Sequence, residues 1–78
     1  MEDQTIKKLI ELIAEQSTAE FEDISPESYL EEDLNIGEME LMELWPDIEE
    51  AFDIELDEEA KESVETVQDI IDLVEEEL

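Results

Sequence analysis

Apolar residues along this chain recur at helical intervals in three stretches and lose that rhythm between them. Ile6, Leu9, Ile10 and Ile13 keep the i, i+3, i+4, i+7 spacing of one buried helix face. That spacing predicts a first helix over about residues 4–16, with Asp3 or Thr5 available as its cap. From 17 to 37, Phe21, Ile24, Tyr29, Leu30, Leu34 and Ile36 follow no single period. A connection of that length is expected either to pack its own side chains onto the fold or to carry function. Ser25-Pro26-Glu27-Ser28 places a cap before a proline, predicting one turn of helix inside it. A second helix is expected to begin near Gly37, with Asn35 and Glu38 as a capping pair. Leu41, Leu44, Trp45, Ile48 and Phe52 form its stripe, which assigns Trp45 to the core and leaves Met42 to either core or surface. Pro46 lies inside this stripe and removes the amide that would bond to the carbonyl of Met42, predicting a kink or local unwinding. Asp53-Ile54-Glu55-Leu56 reads as an extended link, and residues 57–63 as a brief third helix. Thr66-Val67-Gln68-Asp69 has the start signature of a last helix, with Val67, Ile70, Ile71 and Val74 on its buried face and Leu73 beside them. Glu75, Glu76 and Glu77 put negative charge at the negative end of that helix dipole, predicting a frayed terminus. The expectation is an all-α bundle of three main helices and a short third one, with a long first loop, in one domain spanning residues 1–78.

Composition changes the picture in two ways. Leu, Ile, Val and Phe make up 23 of the 78 residues, above the roughly 20 per cent below which a highly charged chain is expected to stay unfolded. A small core is therefore affordable, although 29 Asp and Glu against 3 Lys give a formal charge of -26 whose self-repulsion opposes compaction. Stability is expected to be marginal and to improve with salt or divalent cations. The same charge excludes chemistries. Lys7, Lys8 and Lys61 are the only basic side chains, too few and too scattered to grip a phosphate backbone or an anionic lipid surface. No Cys and no His means no disulfide, no thiolate or imidazole zinc ligand and no histidine acid/base pair. The sequence offers no apolar run of the roughly 20 residues that a membrane span needs and no secretory leader, so a cytoplasmic monomer is expected. Gly37 fits the sixth position of a calcium loop, but Leu34 and Ile36 then fall on ligand positions, and the EF-hand reading fails. Neither a metal site nor a catalytic residue is expected.

The order of segments resembles the acyl carrier protein family over nearly the whole chain. Ser28-Tyr29-Leu30-Glu31-Glu32-Asp33-Leu34 is similar to the family's approach to its second helix, and Glu43-Leu44 with Glu49-Glu50-Ala51-Phe52-Asp53-Ile54-Glu55-Leu56 to the body and exit of that helix. Asp57-Glu58-Glu59-Ala60 and Thr66-Val67-Gln68-Asp69-Ile70-Ile71-Asp72 are similar to its third and fourth helices. The resemblance implies a serine, in an Asp-Ser-Leu motif at the start of the second helix, that carries a phosphopantetheine arm. Here the matching residues are Gly37-Glu38-Met39. Glu38 has no hydroxyl, so phosphopantetheine is not expected at that position.

Two readings of Glu38 follow. A carboxylate near a helix N-terminus is stabilised by the dipole by roughly 0.3–1 kcal/mol, which makes helix capping one. The other is that its charge imitates the family's phosphodiester. The resemblance also implies a partner-facing surface, carried over by position to Glu38, Met39, Glu40, Glu43, Glu49 and Glu50. Acidic side chains there would steer basic-patched enzymes of acyl, fatty-acid or polyketide metabolism onto the helix. The expected function is thus a non-catalytic interaction module. Its alternatives are a carrier modified elsewhere or degenerate beside an intact copy, and an acidic decoy for a nucleic-acid-binding protein.

Overall fold

In the computed structural model, which describes residues 3–78, the chain forms α1 (Asp3–Gln16), α2 (Glu38–Phe52), the short α3 (Glu58–Glu62) and α4 (Val67–Glu77). A single 3-10 turn, Phe21–Asp23, interrupts the connection between α1 and α2. Among the described residues there is no strand, only an isolated antiparallel bridge between Tyr29 and Thr66. The protein is an all-helical four-helix bundle with principal extents of 26 × 26 × 18 Å.

Each long helix buries the stripe its spacing announced. Leu9 and Ile13 of α1, Leu44 and Ile48 of α2, and Val67, Ile70 and Val74 of α4 are wholly inaccessible. Burial of one such side chain contributes roughly 1.5–3 kcal/mol. Trp45 joins them at 8% exposure, while Leu41 and Phe52 pack half-buried at the two ends of the α2 stripe. The α4 start is capped reciprocally: Thr66 Oγ1 accepts the Asp69 amide at 3.3 Å and Asp69 Oδ2 accepts the Thr66 amide at 3.1 Å.

The long connection packs as part of the core. Leu34 and Ile36 are 1% exposed, and Ile24 and Leu30 are also buried. Its backbone is stapled to the start of α4 by Leu30 N–H to Glu65 O at 2.9 Å, Val67 N–H to Ser28 O at 3.1 Å and Gln68 N–H to Pro26 O at 2.8 Å. These bonds satisfy backbone groups that would otherwise be buried without partners.

Several local expectations are corrected. The helical turn falls at Phe21–Asp23, not at Ser25–Ser28. The latter segment is a tight turn closed by Ser28 N–H to Ser25 O at 3.0 Å, with Ser28 Oγ accepting the Ser25 amide at 3.1 Å. The cap of α2 is not the Asn35–Glu38 pair. Asn35 sits in the left-handed region at φ 58, where its short polar side chain is tolerated. Gly37 is the N-cap, and Glu40 three residues on accepts its amide. Helix α2 does not unwind at Pro46. The Met42 carbonyl that Pro46 leaves without its helical donor belongs to an exposed stretch of the helix, Met42 and Pro46 both being exposed, so solvent can reach it. Helix α4 runs through Glu77, and α3 is shorter than expected by a residue at each end. Helix α1 begins at Asp3, which places its cap outside the described residues and Thr5 within the helix.

Candidate functional site

The six residues expected to face partners lie on α2 but not on one face. At about 100° per residue, Glu38 and Glu49 share a side with Leu41, Met42 and Trp45. Met39, Glu43 and Glu50 form a second, outward stripe, and Glu40 points away from both. Glu38 is the first residue of the helix, exposed, and its carboxylate makes no hydrogen bond or ion pair among the described residues. It sits where the dipole favours negative charge, yet the capping bond belongs to Glu40, whose Oε1 accepts the Gly37 amide at 2.7 Å. Met39 and Met42 are 77% and 73% exposed, unusual for large apolar side chains, and Glu43 and Glu50 are exposed on the same helix. Glu49 is occupied: its Oε2 accepts the Leu56 amide at 2.9 Å and lies 3.8 Å from Lys61 Nζ.

A groove of about 930 Å³ runs between α2, α3 and the 29–37 segment. Tyr29, Leu41, Met42, Trp45, Pro46 and Val64 supply its apolar lining. Its rim is acidic, with Glu31, Glu32, Glu38, Glu58, Glu62 and Glu65 around it. Lys61 is the one basic side chain on the lining. Sequence reasoning placed Trp45 correctly in the core and left Met42 open; it did not single out Tyr29 or Lys61. Lys61 had a signal, being the lone cation within an acidic run. Tyr29 had none, because its place on the groove depends on its backbone bridge to Thr66, far along the chain.

No serine hydroxyl stands free at the helix start. Ser17 Oγ donates near the end of α1 to the carbonyls of Ala14 and Ala19 at 3.2 and 3.0 Å. The hydroxyls of Ser25 and Ser28 pair at 3.2 Å, and Ser63 Oγ donates to Ala60 O at 3.0 Å. All four lie in turns or at helix ends, none of them on α2.

No family model matches the chain. An acyl carrier protein of Syntrophobacter fumaroxidans (strain DSM 10017 / MPOB) is 40% identical to it over 65 residues, which span 83% of this chain and 80% of that relative. An identity of that size along most of both sequences, carried by a helical bundle with a long packed connection ahead of its second helix, establishes kinship: the chain belongs to the acyl carrier protein family.

Proposed function

We propose that the protein is an acyl-carrier-like, non-catalytic interaction module that takes no phosphopantetheine at the family's usual position and docks basic-patched enzymes of acyl, fatty-acid or polyketide metabolism. One observation carries this reading. Glu38, at the position the resemblance gives to the attachment serine, is the exposed first residue of α2 with no intramolecular partner among the described residues.

Attachment needs a hydroxyl to attack the pyrophosphate of coenzyme A, and a carboxylate at that point does not fit the group. The four serines support the same conclusion, since each hydroxyl is spent in a local hydrogen bond away from α2. What Glu38 retains is a negative charge at the helix start. It stands on the groove side of α2 with the exposed Met42, while Glu43 and Glu50 share the adjacent outward stripe with the exposed Met39. Like-signed exposed charge accelerates encounter with a basic surface more than it adds affinity, and flexible methionines adapt to varied apolar partners.

Intact mass after incubation with coenzyme A and a broad-specificity phosphopantetheinyl transferase tests the first half. The expected result is no change, and a gain mapped to any serine would overturn it. Capture of enzymes that recognise acyl carriers tests the second half. Bound partners are expected to be released by an intact acyl carrier. Release by an oligonucleotide alone would favour the nucleic-acid decoy instead.

A further inference from the structure

The groove between α2, α3 and the 29–37 segment combines an apolar floor with carboxylates on every element around it. Tyr29, Leu41, Met42 and Trp45 line it, and Tyr29 and Met42 leave 48% and 73% of their surface in solvent. Glu31 and Glu32 stand on the segment, Glu38 at the start of α2, Glu58 and Glu62 on α3, and Glu65 just beyond it. All six are exposed, and only Glu58 has an ion-pair partner among the described residues. Such a rim repels an anionic occupant. It does not suit a bare metal ion either: among the described residues no group of three carboxylates is placed to hold one, and an apolar floor offers nothing to a hydrated cation. Lys61 shows within the chain what the lining accepts. Its ammonium lies 3.8 Å from Glu49 Oε2 and 3.7 Å from Glu58 Oε1, and its side chain, alkyl stem included, is only 14% exposed.

We propose that the groove binds a linear aliphatic polyamine, with its ammonium groups at rim carboxylates of both α2 and α3 and its methylene segments over Tyr29, Met42 and Trp45. Charge complementarity selects this occupant: spaced cations match spaced carboxylates, and the hydrocarbon between them matches the floor. Ammonium groups are attracted to the faces of aromatic rings as well. The dimensions agree. From Glu38 to Glu49 helix α2 rises roughly 16 Å, whereas a triamine of one propyl and one butyl segment reaches about 10–11 Å when extended. Lys61 already occupies the Glu49 end. The carboxylates left without an ion-pair partner are Glu31, Glu32 and Glu38 on one side and Glu62 and Glu65 on the other. Glu38 thereby gains a ligand role that needs no attached arm. The site is independent of the enzyme docking proposed above.

Titration of the full chain with spermidine, followed by NMR and calorimetry, tests the site, with hexaamminecobalt(III) as a trivalent cation that has no hydrocarbon. Spermidine is expected to bind about fivefold tighter, the factor for one exposed cation–aromatic contact, and to shift the Trp45 indole and the amides of Leu41 and Val64. Equal affinity, or shifts spread evenly over the acidic surface, would reduce spermidine to a diffuse counterion and overturn the proposal. Glu38→Gln combined with Glu62→Gln removes one charge from each side and is expected to weaken spermidine about tenfold, at roughly threefold per exposed ion pair. Glu15→Gln combined with Glu22→Gln removes the same charge from exposed positions outside the lining. At about 0.1 M salt, where the Debye length is about 10 Å, that pair is expected to weaken binding less than about twofold. Equal losses in the two double variants would overturn the site, amide exchange in α4 confirming that each is folded. Met42→Ser keeps every charge and is expected to weaken spermidine while leaving hexaamminecobalt(III) unchanged; the same loss for both cations would contradict the apolar half. Tighter binding of octyltrimethylammonium than of spermidine would assign the groove to a single-headed amphiphile and overturn the polyamine. Failure of enzyme capture would sink the docking role and leave these comparisons intact.

Discussion

The bond from the Gly37 amide to Glu40 Oε1 fixes the first turn of α2, and with it the placement of Glu38 and Met39. At 2.7 Å, part-buried and charge-assisted, it is the strongest candidate for a single local anchor of the proposed docking face. Replacing Glu40 by Ala frees the Gly37 amide, which water partly rehydrates. Capping losses of this kind cost about 1 kcal/mol. Against a total of roughly 4–12 kcal/mol expected for a domain of this size, that should lower Tm by about 4–8 °C. Glu40→Gln removes the same negative charge but keeps a carbonyl acceptor in reach of the amide, so relief of self-repulsion is common to both variants. The difference between their melting temperatures then isolates the bond. Helix propensity favours Ala slightly over Gln, which makes the measured gap a lower bound. Thermal denaturation by circular dichroism, together with amide exchange at Leu41, whose N–H bonds to Gly37 O at 3.0 Å, checks this. If Glu40→Ala melts no lower than Glu40→Gln, the cap is not the anchor and the reasoning fails.

Three further outcomes are expected. Glu43→Lys should weaken capture of a basic partner at a Tm no lower than wild type, because Glu43 is exposed, holds nothing in place and adds to the self-repulsion, whereas Glu40→Lys should lower both; a stability loss in Glu43→Lys would contradict this division. Leu44→Ala removes a wholly buried side chain of α2 and should cost about 2–5 kcal/mol, enough to leave much of the protein unfolded at low ionic strength by urea titration. Raising salt from about 0.1 to 1 M shortens the Debye length from roughly 10 to 3 Å and should raise Tm through screening of the -26 charge; a fall would show that ion pairs such as Lys61–Glu49 outweigh the repulsion.

Periodicity alone located the three long helices and their buried faces, because side-chain spacing within a helix is a local property and each stripe is self-contained. The same holds for the Thr66–Asp69 cap, four consecutive residues that settle their own geometry. The absence of Cys and His was equally decisive about chemistry, since it concerns which functional groups exist at all. The α2 cap was misplaced by two residues because Asn35 and Gly37 both satisfy a capping pattern, and only the packing of Leu34 and Ile36 into the core decides where the chain turns into the helix. The split of the six acidic and apolar α2 residues between groove edge, outward stripe and cap depends on how the helix is rolled against its neighbours. Glu49 shows this most plainly: in sequence it is one carboxylate in a run, while in the fold it binds an amide seven residues on and a lysine from the next helix. Charge composition says that such a chain must repel itself; the tertiary contacts say where one lysine offsets that repulsion and which carboxylates are engaged within the fold.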